Sequence, residues 1–280
     1  MTWWSDGSTR GTTAARPVLL FAVPPASTLR VSSTGSALHS IAVIPARYAS
    51  TRFPGKPLAD LGGRPMIEHV YRRAAASTAV RRVLVATDDA RILRAVEAFG
   101  GEAQLTGTAH RSGTERLAEI AATLTCDIVV NVQGDEPLLA PGMIDEVVAP
   151  FATDPDLLMT TLRRPVSDAA DLASRHVVKV VVDQQDFALY FSRAPIPFGA
   201  AGGPAASKHI GIYAYRRAFL LTLAGLPPTP LEQTEQLEQL RALEHGYRIK
   251  APATIHDSIG VDTPEDLERV RRVVAAGAHP

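Results

Sequence analysis

From residue 40 onward, apolar residues occur in short runs, each closed by a polar or glycine-bearing turn. The first run, Ile41, Ala42, Val43 and Ile44, stops at Pro45 and passes into a segment with Arg47, Arg52 and Lys56 set among Ala, Ser, Thr and Gly. A run apolar at every position predicts a strand buried on both faces, delivering a basic loop at its C-terminal end. Pro54, Gly55 and Pro57 restrict the backbone around Lys56, so its ammonium is presented by a stiff turn. Met66, Ile67, Val70 and Ala74 fall on one helical face and predict a helix over 66–76, which Pro65 starts. The next strand is expected over 83–86, and the helix over 91–99 takes a cap from Thr87, Asp88 or Asp89 and stops at Gly100 and Gly101. A short strand at 102–105 precedes HRSGTER (110–116), which enters a helix over 117–124. A fourth strand, 127–132, then leads into Gln133, Gly134, Asp135, Glu136 and Pro137. This alternation predicts an α/β fold of Rossmann-like type, with a mostly parallel, doubly wound sheet and right-handed crossovers.

The second half changes style. Strands at 158–162, 177–182 and 187–192 are separated by short turns, which predicts an antiparallel addition to the sheet or a smaller lobe spanning roughly 158–215. GAAGGPAAS (199–207) reads as a flexible loop. A strand over 209–215, a helix over 231–244 and a strand over 247–251 follow. In VDTPEDLERVRRVV, Thr263 is a natural N-cap ahead of Pro264, and Glu265 and Asp266 suit the positive end of a helix dipole. Residues 1–39 have no lasting period and are rich in Ser, Thr, Gly and Pro. They read as a disordered extension or an upstream start-site artefact, which leaves 40–280 as a single α/β domain.

Composition narrows the partners. Acidic and basic residues balance at 29 each in 280 residues. A global basic field for nucleic acid is therefore absent, and any anion site has to be local. Only 4 of the 29 basic residues are Lys, so a Lys kept in a Gly/Pro-rich loop draws notice. The single Cys126 can form neither an intrachain disulfide nor a cysteine-based zinc cluster, which fits a reducing, cytoplasmic setting. No run approaches the roughly 18 apolar residues of a membrane span.

Candidate chemistry gathers at four strand ends: 47–56, 87–89, 133–136 and 258–262. In a parallel sheet those ends share one edge, where ligands of open α/β sheets bind. Asp135 follows an apolar strand and stands beside Gly134. A carboxylate there suits Mg²⁺, which takes one or two protein carboxylates and completes its octahedron with phosphate oxygens and water. Asp262 is a second candidate that could equally serve the last helix as a cap, and Asp88 and Asp89 read as caps. With Lys56 and the arginines, such carboxylates describe a nucleoside triphosphate site. The chain has no GxxxxGK[ST] and no GxGxxG after its first strand, which argues against a P-loop or a dinucleotide site. Arg193, His209, Tyr213, Glu238 and Gln239 are the remaining polar candidates. His209 and Tyr213, four apart on a strand, point the same way.

IPARYASTRFPGKPL, VATDD, HRSGTERLAE, VNVQGDEP, LYFSRAPIP, HIGIYAYR, LEQLRAL and GVDTPEDLERV, in this order over residues 40–274, resemble the 3-deoxy-D-manno-octulosonate (Kdo) cytidylyltransferases. The resemblance implies a nucleotidyltransferase domain with a smaller antiparallel lobe for sugar binding and dimerisation. The implied reaction joins CTP and Kdo, with Mg²⁺, to give CMP-Kdo and pyrophosphate for lipopolysaccharide assembly. By the same likeness Arg47, Ser50, Arg52 and Lys56 hold the triphosphate, and Thr87, Asp88, Ser112, Gly113 and Thr114 lie around cytosine and ribose. Asp135 and Asp262 bind the metal. Gln133, Arg193, His209, Tyr213, Glu238 and Gln239 face the sugar acid, with Arg193 matched to its carboxylate, and the implied partner is a second copy of the chain. Lys56, Arg52, Asp135 and Asp262 are the expected catalytic set. The chain departs from the family at Phe53, where Leu is usual, at Phe198, where Trp is common, and in the uncharged loop that follows. These departures leave open another acidic sugar, an 8-amino relative of Kdo or a sialic acid. A nucleotide-binding relative without turnover is the rival of a different class.

Overall fold

The computed structural model describes residues 38–49, 53–110, 112–166, 168–199 and 206–276. In order, the elements are β1 (Ser40–Ala46), α1 (Met66–Ala75), β2 (Arg82–Thr87), α2 (Ala90–Ala98), β3 (Ala103–Leu105), α3 (Gly113–Thr123) and β4 (Ile128–Asn131). Then come α4 (Pro141–Val148), α5 (Pro150–Thr153), β5 (Met159–Pro165), α6 (Ala169–Ala173), β6 (Lys179–Val182), β7 (Ala188–Ser192) and β8 (Ser207–Arg216). The chain ends in α7 (Arg217–Gly225), α8 (Pro230–Glu235), α9 (Gln239–Glu244) and α10 (Pro264–Ala275).

The expected doubly wound half is present. Strands run β3-β2-β1-β4 in parallel, and β1 carries both neighbours, with Val43 opposite Leu84 and Asn131. Its uninterrupted apolar run is explained by burial on both sides. Ala42, Ile44 and Ala46 face a core completed by Ile67, Val70 and Ala74 of α1 and Ile92 and Val96 of α2. Ile41 and Val43 face the opposite core, with Leu117 and Ile120 of α3 and Phe219 and Leu220 of α7. Asp89, rather than Asp88, caps α2, its side chain accepting from the Arg91 N–H at 2.8 Å. Because β1 proceeds through α1 to β2 on one side and β3 returns through α3 to β4 on the other, a crevice opens between the C-terminal ends of β1 and β4.

The antiparallel strands continue this sheet instead of forming a second one. β8 pairs with β4 through its C-terminal half, with β6 at its first two residues and with β5 along nearly its whole length, with a bulge between Thr161 and Leu162. β6 and β7 form the outer hairpin. The sheet is therefore parallel in its first half and antiparallel in its second, so "mostly parallel" describes only the first half.

Three expectations differ. Among the described residues no strand ends at 258–262, so this cluster follows unpaired chain. The helix over 231–244 is broken into α8 and α9 by Gln236, which adopts a left-handed conformation (φ 53°). A straight helix would commit Leu231 to the buried stripe, yet Leu231 is exposed while Leu237 and Leu240 are buried. The break turns the second segment inward, and Arg241 ties the halves by donating to both Glu232 carboxylate oxygens at 2.5 and 2.8 Å. No strand forms over 247–251. That segment instead threads between β5 and β7 through isolated bridges at Lys250 to Thr160 and Phe187.

A third, smaller core brings the C-terminal segment back to the site. Leu267 and Val270 of α10 pack with Leu61, Met66, Leu138 and Val261. Burying each such side chain is worth about 1.5–3 kcal/mol. Val261 N–H also donates to the Asp135 carbonyl at 2.9 Å, so the residue before Asp262 is laced to the loop leaving β4.

Candidate active site

A cleft of about 420 Å³ occupies the crevice at the ends of β1 and β4, and Pro45, Arg47, Lys56, Gly113, Arg116, Gln133, Gly134, Asp135 and Asp262 line it. One close approach builds its floor. A Cβ on Gly134 would stand 2.7 Å from the Pro45 carbonyl oxygen, so the loop after β4 can press against the end of β1 only because residue 134 has no side chain. The start of α3 at Gly113 lies beside the Pro45 ring at ordinary contact distance. Arg47 is exposed at the mouth. Ser50 and Arg52 lie outside the described residues.

Lys56 begins a short 3₁₀ turn after Gly55, whose positive φ (73°) sets the bend and whose bare Cα lies against the Tyr48 ring. The Lys56 ammonium donates to Asp135 Oδ2 at 2.8 Å and to the Val261 carbonyl at 2.7 Å, and it reaches Asp262 Oδ1 at 3.4 Å. Residues 79 and 206 positions away thus meet at one ammonium. Thr263 and Asp266 close a capping box at α10, and Asp266 also accepts from the Asp262 N–H at 3.1 Å, which fixes the backbone that carries Asp262. No cluster of three or more metal-ligating side chains occurs among the described residues. Two carboxylates already drawn to one cation nevertheless match the protein share of a Mg²⁺ site that relies on phosphate oxygens and water.

The residues expected around the nucleoside take up more than one position. Thr87 is fully buried at the end of β2, its hydroxyl accepting from the Asp89 N–H. Asp88 pairs with Arg116 at 2.6 Å. Ser112 caps α3, and Thr114 donates its hydroxyl to Glu238 Oε2 at 2.9 Å.

Both partners of that last bond line a second cavity of about 100 Å³, together with Gly113, Asn131, Gln133, Tyr213, Tyr215 and Gln239 among others, and Gly113 and Gln133 also border the cleft. Glu238 Oε1 and Gln239 Nε2 are buried there without a hydrogen-bonding partner among the described residues. Burial pushes the Tyr213 hydroxyl well above its ordinary pKa, so it remains a neutral donor. Arg193 and His209 line neither cavity. Arg193 directs its guanidinium to the carbonyls of Arg175, Glu235 and Gln236. His209 is wedged between Phe191 and Tyr213, with ring centroids 5.1 and 5.4 Å away, and meets the Thr161 hydroxyl. Desolvation pushes its pKa down to about 3, so the ring is neutral.

Two site residues escaped the sequence reading, and Glu136, inside the expected 133–136 cluster, lines neither cavity. Arg116, 1% exposed and inside HRSGTER, lines the cleft and holds Asp88 and Thr106. Its position on a helix after the noticed Ser-Gly-Thr was the available signal. Tyr215 lies behind Tyr213, stacked at 6.0 Å, and reads in sequence as core. Glu136 stands behind Asp135, near Gly211. Burial and the charges of Asp135 and Asp257 push its carboxyl up to about 7.

A switch-point cleft with a lysine, two carboxylates and a polar annex defines an α/β nucleotide-binding transferase. The profile of the cytidylyltransferase family matches residues 41–249, and the chain belongs to that family. It is 53% identical over 245 residues to the 3-deoxy-manno-octulosonate cytidylyltransferase of Geobacter sulfurreducens, covering 83% of this chain and 98% of the relative. It is 49% identical over 239 residues to that of Solibacter usitatus, covering 84% and 94%. A solved structure of CMP:2-keto-3-deoxy-manno-octonic acid synthetase complexed with CTP superposes with a TM-score of 0.82 at 46% identity, covering 85% of this chain and 99% of that one. The fold alone is shared with 4-diphosphocytidyl-2C-methyl-D-erythritol synthase from Anaerococcus prevotii, at TM-score 0.57 and 12% identity.

Proposed function

We propose that this chain transfers the CMP group of CTP to the anomeric hydroxyl of Kdo, giving CMP-Kdo for lipopolysaccharide assembly and releasing pyrophosphate. The observation that carries the reading is the meeting of Lys56, Asp135 and Asp262 at the switch point. Arg47, Ser50, Arg52 and Lys56 hold the triphosphate, the three cations neutralising it, and the N-terminal turn of α3 and Asp88 border the nucleoside. Gln133, Tyr213, Glu238 and Gln239 receive the sugar acid in the adjoining cavity. Gln133 and Gly113 border both cavities, so the sugar hydroxyl and the α-phosphorus meet there for an in-line displacement. Positioning and charge neutralisation then supply most of the rate, since the protein itself makes no covalent bond. Asp135 and Asp262 would hold Mg²⁺, which when bound polarises the α-phosphoryl group. Arg193 and His209 reach the sugar only if the guanidinium leaves its carbonyls and the ring leaves its aromatic wedge.

The reading extends to a homodimer in the cytoplasm. Leu189 on the edge strand β7 and Phe198 are exposed apolar side chains on the antiparallel half, which supports a second copy covering it. No described helix is long and apolar enough to cross a membrane. Pyrophosphate release across CTP, UTP, ATP and GTP with Kdo, with and without Mg²⁺, tests the assignment, and sedimentation tests the dimer. Turnover is expected only with CTP and Mg²⁺. Preference for a sialic acid or 8-amino-Kdo over Kdo would overturn the sugar assignment.

A further inference from the structure

We infer that Lys56 is a placeholder cation: in the nucleotide-free protein its ammonium sits between Asp135 and Asp262 and blocks divalent metal, which enters only once a triphosphate draws the lysine away. This inference rests on the proposed metal role of the two aspartates and adds an order of events to it.

An ammonium has three N–H donors. Those of Lys56 are taken by Asp135 Oδ2 at 2.8 Å, the Val261 carbonyl at 2.7 Å and Asp262 Oδ1 at 3.4 Å. None is left for a phosphate oxygen, so nucleotide binding has to break at least one of these bonds. The side chain is only 13% exposed, and the stiff turn after Gly55 keeps it from being merely one of many surface positions it could visit. A divalent ion using the same two carboxylates would lie within a few ångströms of the ammonium, and like charges at that distance repel strongly where water is scarce. Lysine and metal therefore exclude each other while no other anion is present. A triphosphate removes the conflict. Its oxygens give the ammonium a new partner and give the metal its missing ligands, so the two cations exchange places with no charge left uncompensated.

The test is Mn²⁺ binding, read by water-proton relaxation, to wild type, Lys56→Met and Lys56→Gln. Each is measured without nucleotide and with CTP but no sugar acceptor. Wild type is expected to bind Mn²⁺ weakly alone and firmly with CTP. Both variants are expected to bind Mn²⁺ alone at least about tenfold more tightly than wild type, a difference of about 1.4 kcal/mol. Adding Asp135→Asn should abolish that gain. Thermal unfolding is the second readout: Mn²⁺ without nucleotide should raise the melting temperature of the variants and leave that of wild type where it was. If wild type with CTP binds Mn²⁺ but the variants alone bind it no better than wild type, the placeholder role is overturned and the metal site stands. If neither wild type with CTP nor the variants bind Mn²⁺, the metal reading falls, and the inference with it. Tight Mn²⁺ binding by wild type alone also overturns the exclusion.

Discussion

Gly134 admits no side chain, because the first carbon of one would collide with the Pro45 carbonyl. Gly134→Ala is therefore expected to shift the loop that carries Asp135 away from Lys56. A displacement of the order of 1 Å at a reacting centre costs roughly 100-fold in rate, so steady-state kcat should fall by about that factor while circular dichroism still reports a folded chain. Asp262→Asn probes the second carboxylate from the opposite direction, with shape kept and charge removed. Turnover is expected to drop by about 10²–10³ with CTP affinity largely kept, and near-normal turnover would remove Asp262 from the reaction. His209 shows its burial through pH. Its folded pKa of about 3 lies below the roughly 6.5 of an unfolded histidine, so below pH 6.5 the unfolded chain takes up a proton that the folded chain refuses. Stability is intact above pH 6.5 and declines from there towards pH 3, by up to about 1.4 kcal/mol per pH unit from this residue. Urea unfolding between pH 7.5 and 5 should show a shallower decline for His209→Gln. Lys56 and Asp135 were legible in the sequence because they follow β1 and β4 through a short turn or loop, so the sheet dictates where they lie. Asp262 instead follows no strand and reaches the site through the small core under α10 and the Val261 N–H bond to the Asp135 carbonyl. Arg116 and the displaced pKa of Glu136 were not legible, because a buried arginine and such a carboxyl look in sequence like any helical arginine and any loop glutamate.

Among the elements, α10 matters to the site through its first turn. Thr263 and Asp266 exchange hydrogen bonds, and Asp266 also accepts from the Asp262 N–H, so the cap that begins the helix also holds the backbone of a proposed metal carboxylate. Thr263→Ala should lower unfolding free energy by about 1 kcal/mol, the ordinary worth of such a cap. If the cap also steadies Asp262, the half-saturating Mg²⁺ concentration in the assay should rise as well, which a purely structural cap would leave unchanged. The Thr-Pro-Glu-Asp signal for this helix was plain in sequence because capping is local chemistry. The break between α8 and α9 was hidden for the opposite reason. Gln236 carries no turn signal, and its left-handed backbone is stabilised by distant facts: the inward pull on Leu237 and Leu240 and the Arg241–Glu232 pair. That break carries Glu238 and Gln239 to the second cavity, where a straight amphipathic helix would have left them flanking a stripe.

Among the described residues the strands form one sheet whose two halves border two adjoining cavities. The parallel half contributes the ends of β1 and β4 to the cleft, as α/β crossovers require, and alternation of strand and helix announced it. The antiparallel half approaches the same edge through β8 and the α8–α9 turn. Its place was less legible, because antiparallel pairing of strands far apart in sequence is fixed by side-chain fit across the sheet and by no local code. This division makes the substrates separable by mutation. Glu238 has one carboxylate oxygen held by Thr114 and the other buried without a partner among the described residues, so it presents an acceptor to whatever enters the smaller cavity. Glutamine keeps an acceptor oxygen and gives up only the difference between a hydrogen bond to a carboxylate and one to a neutral carbonyl, about 1 kcal/mol. Glu238→Gln should therefore raise KM for Kdo by roughly fivefold and leave KM for CTP within about twofold. Arg47→Ala, at the mouth of the larger cleft, should do the reverse. The two variants measured side by side decide the point: if Glu238→Gln raises both KM values together, the cavities act as one site and the assignment of the antiparallel half to the sugar is wrong.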